Sequence, residues 1–214
     1  MRKQMIYMGL IFAIVATLLE FLFLSDYWQP TTINSFAVTL YGVHYDIALI
    51  EDLIWGFLFG GIAAVIYEEI FGIYLRTNRK HLRPSIRMIV AFLVIGMAFL
   101  IIPVLFFNVS VVYAAILSCL ASSMFYIFFR HDLFRDALIS GFVMGGIYFL
   151  VLLIFSIIFN GIFDAWWYRD SLSGVSALHI PIEELLIAFA MGAVVGPFYE
   201  FFFGLSVSNR RVHK

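Results

Sequence analysis

The chain has 214 residues, of which 64% are hydrophobic and 13% charged. With a mean hydropathy of +1.01, that composition excludes an ordinary water-soluble domain. A net charge of −1 says nothing about partners once the apolar majority is set aside, and the lone Cys119 rules out an internal disulfide or a thiolate metal site.

A run of about 20 apolar residues is long enough to cross a bilayer as a helix. Taken in chain order, such runs fall at roughly 5–25, 47–74, 88–107, 110–129, 137–159 and 181–207. The expectation is an all-α, polytopic membrane protein of about six transmembrane helices, forming one membrane domain over 1–214. The first run follows Met1-Arg2-Lys3, contains Glu20 and lacks a small-residue cleavage site, so it is expected to be a retained helix. Between runs one and two lie Asp26-Tyr27-Trp28, Tyr41 and Tyr45. Between runs five and six lie Asp164 and Trp166-Trp167-Tyr168. Tryptophan and tyrosine anchor helices at membrane interfaces, which accounts for most of these residues. Both segments also place an Asp within two residues of a Trp, a hint of a site wall.

The basic residues test the six-span reading. With the N-terminus inside, Arg2, Lys3, Arg76, Arg79, Lys80, Arg83, Arg87, Arg130, Arg135, Arg210, Arg211 and Lys214 fall on the cytoplasmic side, and Arg169 alone falls outside. That asymmetry matches the positive-inside rule and places both termini in the cytoplasm, in an integral, multi-pass protein.

A block of 23 residues occurs twice, 132 positions apart. Ile50-Glu51-Asp52-Leu53 through Tyr67-Glu68 and Phe71-Gly72 returns as Ile182-Glu183-Glu184-Leu185 through Tyr199-Glu200 and Phe203-Gly204, with nine identical positions and no gap. At the same offset Gly9 matches Gly141 and Gly42-Val43 matches Gly174-Val175. Two parallel internal repeats are therefore expected, about 1–75 and 133–207, linked by two helices within 88–129. A pseudo-two-fold axis along the membrane normal would bring spans two and six face to face and gather Glu51, Asp52, Glu183 and Glu184 at one cavity.

Ionisable groups near a membrane interior are costly and are usually kept for a task. A plainer reading also exists. Pro181 suits a helix start, and Glu183 and Glu184 would then lie in the first turn, where negative charge favours the helix dipole. Neighbours on a helix diverge by about 100°, so only one acid of each pair points into a given cavity. Glu68 and Glu200 fall about 25 Å further along the axis. There they would mark the cytoplasmic ends of spans two and six, near Arg76 and Arg79, with salt bridges or snorkelling at that border as the expectation. No helix-spaced histidine pair, serine elbow, phosphate loop or dinucleotide fingerprint is present, so no cofactor and no metal are expected.

At His179-Ile180-Pro181-Ile182-Glu183-Glu184-Leu185-Leu186, with Asp164 and Trp166-Trp167 upstream, the chain resembles the membrane lycopene cyclase domain family. That family joins a Trp-Asp-type segment to a Pro-x-Glu-Glu helix start and is built from two related halves. The phenylalanine pair usual after the motif is replaced here by Ile187-Ala188, with Phe189 next. The first copy has Leu49 for the proline and Asp52 for the second Glu. The resemblance implies redox-neutral cyclisation of a linear carotene end group. A buried carboxylic acid protonates the terminal alkene, the neighbouring double bond closes on the cation, and a carboxylate removes a ring proton. Glu183 and Glu51 are the leading acid/base candidates, with Glu184 and Asp52 as coupled partners. Asp26, Trp28, Asp164, Trp166 and Trp167 would line the substrate site, since aromatic faces stabilise a passing cation. The partners implied are membrane lipid and a hydrophobic isoprenoid or carotenoid ligand, with no nucleic acid and with homo-oligomerisation open. Two other classes stay open: a proton- or cation-coupled transporter, and a non-catalytic lipid- or carotenoid-binding protein.

Overall fold

The computed structural model describes residues 2–23, 36–40, 43–47, 49–77, 83–159, 161–163 and 167–208. Helices follow the apolar runs: α1 is Arg2–Phe23, α2 Leu49–Ala63, α3 Ile66–Phe71, α4 Ile86–Phe107, α5 Val111–Phe129, α6 Phe134–Ile158, α7 Ile182–Val195 and α8 Phe198–Phe203. Five helical segments are long and apolar enough to cross a membrane, and α1 adds a shorter apolar stretch, Lys3–Leu19. The protein is an all-α membrane protein.

Strands occur as two-residue to five-residue ladders. β1 (Phe36–Leu40) pairs with β2 (Val43–Ile47), β3 (Tyr74–Thr77) with β6 (Leu205–Ser208), and β4 (Ser176–Ala177) with β5 (Ile180–Pro181), all antiparallel. The first hairpin lies in a stretch to which the sequence reading gives no regular element.

Spans two and six each fold as two helices end to end, with breaks at residues 64–65 and 196–197. At the second break Pro197 removes a backbone donor, which interrupts the helical ladder. The first break has no proline. There the Gln4 side-chain amide donates to the Ala64 carbonyl and takes over an acceptor that a continuous helix would bond internally. Both short helices end on glycine in the left-handed region, Gly72 at φ 58° and Gly204 at φ 63°, which a Cβ would disfavour. The chain then enters the β3–β6 ladder, where Leu75 sits opposite Val207. This ladder ties the ends of α3 and α8 together. The α2–α3 and α7–α8 pairs therefore run in the same direction, with the starts of α2 and α7 at the far end of the bundle.

Close helix approach relies on glycine, as is common in membranes, where burying apolar surface gives helices little reason to associate. A Cβ added at Gly9 would lie 2.8 Å from the Phe57 carbonyl oxygen, and one at Gly141 2.9 Å from that of Phe189. At Gly60 it would meet the Phe12 Cβ at 2.3 Å, and at Gly192 the Met144 Cβ at 2.7 Å. These contacts pack α1 on α2 and α6 on α7, and each recurs 132 residues along. α5 closes the bundle: Tyr126 donates its hydroxyl hydrogen bond to the Ala193 carbonyl of α7, and Ser118 donates to the Gly96 carbonyl of α4 at 2.7 Å. The main apolar core includes Met8, Phe59, Ala63, Phe92, Tyr126, Met144, Ala188 and Val195. The outer face of α4 stays open, with Leu105, Phe106 and Phe107 each above 70% exposed, a surface suited to hydrocarbon rather than water.

Candidate functional site

The paired acids stand at the end of the bundle away from the β3–β6 ladder, in the first turns of α2 and α7. Their environments differ. In the first copy Glu51 is exposed and Asp52 is buried at 9% exposure, as the 100° offset between neighbours requires. In the second copy both acids are buried, Glu183 at 0% and Glu184 at 3%. Here the β4–β5 hairpin and α5 cover the first turn. Of the two leading candidates, therefore, Glu183 lies inside the protein and Glu51 does not.

Glu183 is held through one oxygen. Its Oε1 accepts the Tyr113 hydroxyl of α5 at 2.7 Å and the Ser173 backbone N–H at 2.7 Å. Its Oε2 is buried and, among the described residues, has no hydrogen-bond partner. The loop that supplies Ser173 is itself pinned. Val175 N–H donates to the Ser173 hydroxyl at 3.2 Å, and Ile182 N–H donates to the Val175 carbonyl at 3.0 Å. The same loop forms one wall of a recess of about 420 Å³ that Phe163, Leu172, Gly174, His179 and Pro181 also line.

Trp167 is 6% exposed and packs with Val112, Leu152 and Ile180, with Tyr113 and Leu185 against the same cluster. Its ring centroid is 5.3 Å from that of Phe163. Trp167 thus belongs to the wall behind Glu183 rather than to an interface belt. Asp26, Trp28, Asp164 and Trp166 lie outside the described residues.

A second group of acids occupies the ladder end, and their side chains are buried. Glu68 is 1% exposed, Glu200 0% and Asp136 2%. Gln4 donates to Glu68 Oε1 at 3.1 Å, and Ser140 donates to Asp136 Oδ1 at 2.9 Å. No hydroxyl or N–H donor among the described residues reaches Asp136 Oδ2 or either oxygen of Glu200; the Glu200 carboxyl instead lies within hydrogen-bonding reach of the Glu68 carboxyl and near Asp136. The cations nearby are engaged elsewhere. Arg130 pairs with Asp132 at 2.6 Å and donates to the Glu200 and Leu205 carbonyls at 3.1 and 2.8 Å, while Arg135 lies over the Phe71 ring at 5.3 Å. Arg79 and the side chain of Arg76 lie outside the described residues. Glu68 and Glu200 each lie in the first turn of the short helix that follows a break, among its buried residues. Asp136 escapes a reading from span boundaries, since it follows His131-Asp132 and Arg135 in a charged stretch. The repeat holds the missing signal: 132 residues separate Gln4 from Asp136 as they separate Glu68 from Glu200. Among the described residues no group of His, Cys, Asp and Glu is arranged to hold a metal ion.

Residues 110–202 match the family model described as lycopene cyclase. No curated protein and no solved structure matches the chain. The matched segment runs from α5 into α8 and includes Tyr113, Asp136, Ser173, Glu183, Glu184 and Glu200, while the first copy of the repeat lies outside it. Over this segment, the chain is similar to the lycopene cyclase family.

Proposed function

We propose that the protein is a lycopene cyclase-like membrane enzyme that closes a ring at the end of a linear carotene or related isoprenoid. A carboxylic acid adds a proton to the terminal alkene carbon. The electron pair of the next double bond forms the ring C–C bond, and a carboxylate takes a proton from the resulting ring cation. One proton enters and one leaves, so the product is an isomer of the substrate and no redox partner is needed. The observation that carries this reading is the buried Glu183–Glu184 dyad at the start of α7, inside the family-matched segment, with Glu183 presenting an unpartnered oxygen. The aromatic cluster of Trp167, Phe163 and Tyr113 beside it suits a transient cation.

In this reading the chain consists of two copies related by a pseudo-two-fold axis, supported by the glycine contacts and the Leu75–Val207 pairing that recur at the 132-residue offset. Asp52 is then the first copy's contribution, on the same side of the bundle as Glu183 and Glu184. The lipid-soluble substrate enters from the bilayer, and the skewed loop charges put both termini in the cytoplasm.

Expression in a lycopene-accumulating host, followed by pigment chromatography, tests the proposal. Wild-type protein should yield cyclic product, and Glu183→Gln should lower that yield at least about a hundredfold, within the usual contribution of acid–base catalysis. Glu69→Gln, at an exposed position, should leave it unchanged. Absence of cyclic product from a folded, membrane-inserted sample would overturn the reading.

The buried acids at the ladder end favour a second reading, a proton- or cation-coupled carrier, because uncompensated carboxyls inside a membrane protein mark ion paths. A proton flux across sealed vesicles that is abolished by Glu200→Gln, together with no cyclic product, would select it.

A further inference from the structure

We infer that Glu183 is the proton acceptor of the dyad, that Oε2 is its receiving atom, and that Tyr113 is the residue that positions it. The inference rests on the cyclase reading and assigns a role within it. A backbone N–H can only donate, so the 2.7 Å contact from Ser173 N makes Glu183 Oε1 an acceptor. An oxygen already accepting that bond is poorly placed to carry the carboxyl proton, so the Tyr113 hydroxyl, also at 2.7 Å, donates to it as well. Two donors on one oxygen are best satisfied by a carboxylate. They leave Oε2, buried and without a hydrogen bond among the described residues, as the atom with open lone pairs.

Three elements build this arrangement. α7 carries the carboxylate and α5 supplies the phenol, while the loop before β4 supplies the N–H. Tyr113 lies near the start of α5 and packs against the cluster of Val112, Leu152, Trp167 and Ile180, so packing restricts the direction of its hydroxyl. Oε1 cannot swing toward a substrate without breaking two bonds. Chemistry is thereby confined to Oε2. In the reaction, the ring C–H bond breaks, its electron pair forms the new double bond, and the proton is transferred to Oε2. The initial donation is left to another buried acid, Glu184 or Asp52.

Two readouts on the full-length protein in bilayers test the assignment. The first is infrared spectroscopy of the Glu183 carboxylate stretch, identified by its loss in Glu183→Gln. Tyr113→Phe should shift this band, because one donor is gone, while Tyr168→Phe, at a partly exposed position outside the contact, should not. Ser173→Pro, which deletes both the backbone N–H and the serine hydroxyl beside Glu183, should shift it too. The second is steady-state cyclisation: Tyr113→Phe should lower kcat roughly ten- to hundredfold, the range one hydrogen bond to a charged group accounts for, with KM little changed. A band that stays in place in a folded Tyr113→Phe protein overturns the inference, as does a loss confined to KM. If the band shifts but wild-type protein forms no ring, the contact stands as the positioning device for Glu183 and the cyclase reading fails.

Discussion

Gly192→Ala should separate α6 from α7, and its cost can be worked out from the contact it would make. A Cβ at this position lies 2.7 Å from the Met144 Cβ, 2.8 Å from the Ser140 carbonyl oxygen and 3.0 Å from the Met144 Cγ. Carbon atoms settle at about 3.5–4.0 Å, so the helices must move apart by about 1 Å. Neither the Met144 Cβ nor a backbone carbonyl can rotate out of the way. Overpacking of this kind costs roughly 1–3 kcal/mol. Exchanging glycine for alanine inside a helix returns about 1 kcal/mol, leaving a net loss of up to about 2 kcal/mol. Gly146→Ala on α6 supplies the control, since nothing lies within 4 Å of its added Cβ. That variant should be neutral or up to about 1 kcal/mol more stable. Steric-trapping or denaturant unfolding in bicelles measures both. Gly60→Ala, whose Cβ would fall 2.3 Å from the Phe12 Cβ, should cost at least as much as Gly192→Ala. Gly192→Ala should therefore fall roughly 1–3 kcal/mol below Gly146→Ala, and equal stability of the two variants would refute the close packing.

Two further predictions concern the ladder end, both checked by the same unfolding measurement. Glu200→Gln removes a buried acid that meets the Glu68 carboxyl and lies near Asp136, with no hydroxyl or N–H donor among the described residues on its oxygens; stability should hold within about 1 kcal/mol or rise, since crowding acids in a buried site is costly. Arg130→Met should cost roughly 2–4 kcal/mol, mainly by orphaning the Glu200 and Leu205 carbonyls, because the Asp132 side of its ion pair is 43% exposed and screened by solvent.

The spans are legible from sequence because bilayer thickness demands long apolar runs, and no charged residue interrupts them from Met88 to Phe107 or from Val111 to Phe129. The placement of acids at the starts of α2 and α7 is legible for a similar reason, since ionisable residues interrupt an oily pattern and the repeat marks them twice. Tyr113 is not legible. An aromatic in an apolar run carries no sign of whether its hydroxyl meets lipid, water or a carboxylate; only the crossing of α5 over the first turn of α7 decides it. The break at Ala64–Val65 is equally hidden, because its cause is Gln4, 60 residues away. Glu68 and Glu200 read as border residues from their position along the span, and nothing in that position shows that their side chains are buried. The Phe36–Ile47 hairpin does carry a local cue, two five-residue strands flanking Tyr41-Gly42, but its aromatic content reads equally well as a membrane-interface anchor.

The four-residue pairing between β3 and β6 fastens the two copies at one rim of the bundle. Two rods clasped at one tip can still scissor, and the gape such a motion produces is widest at the opposite tip. In this chain that tip is where Asp52, Glu183 and Glu184 sit, so a modest tilt about the clasp alters the room around the carboxyls more than anywhere else along the helices.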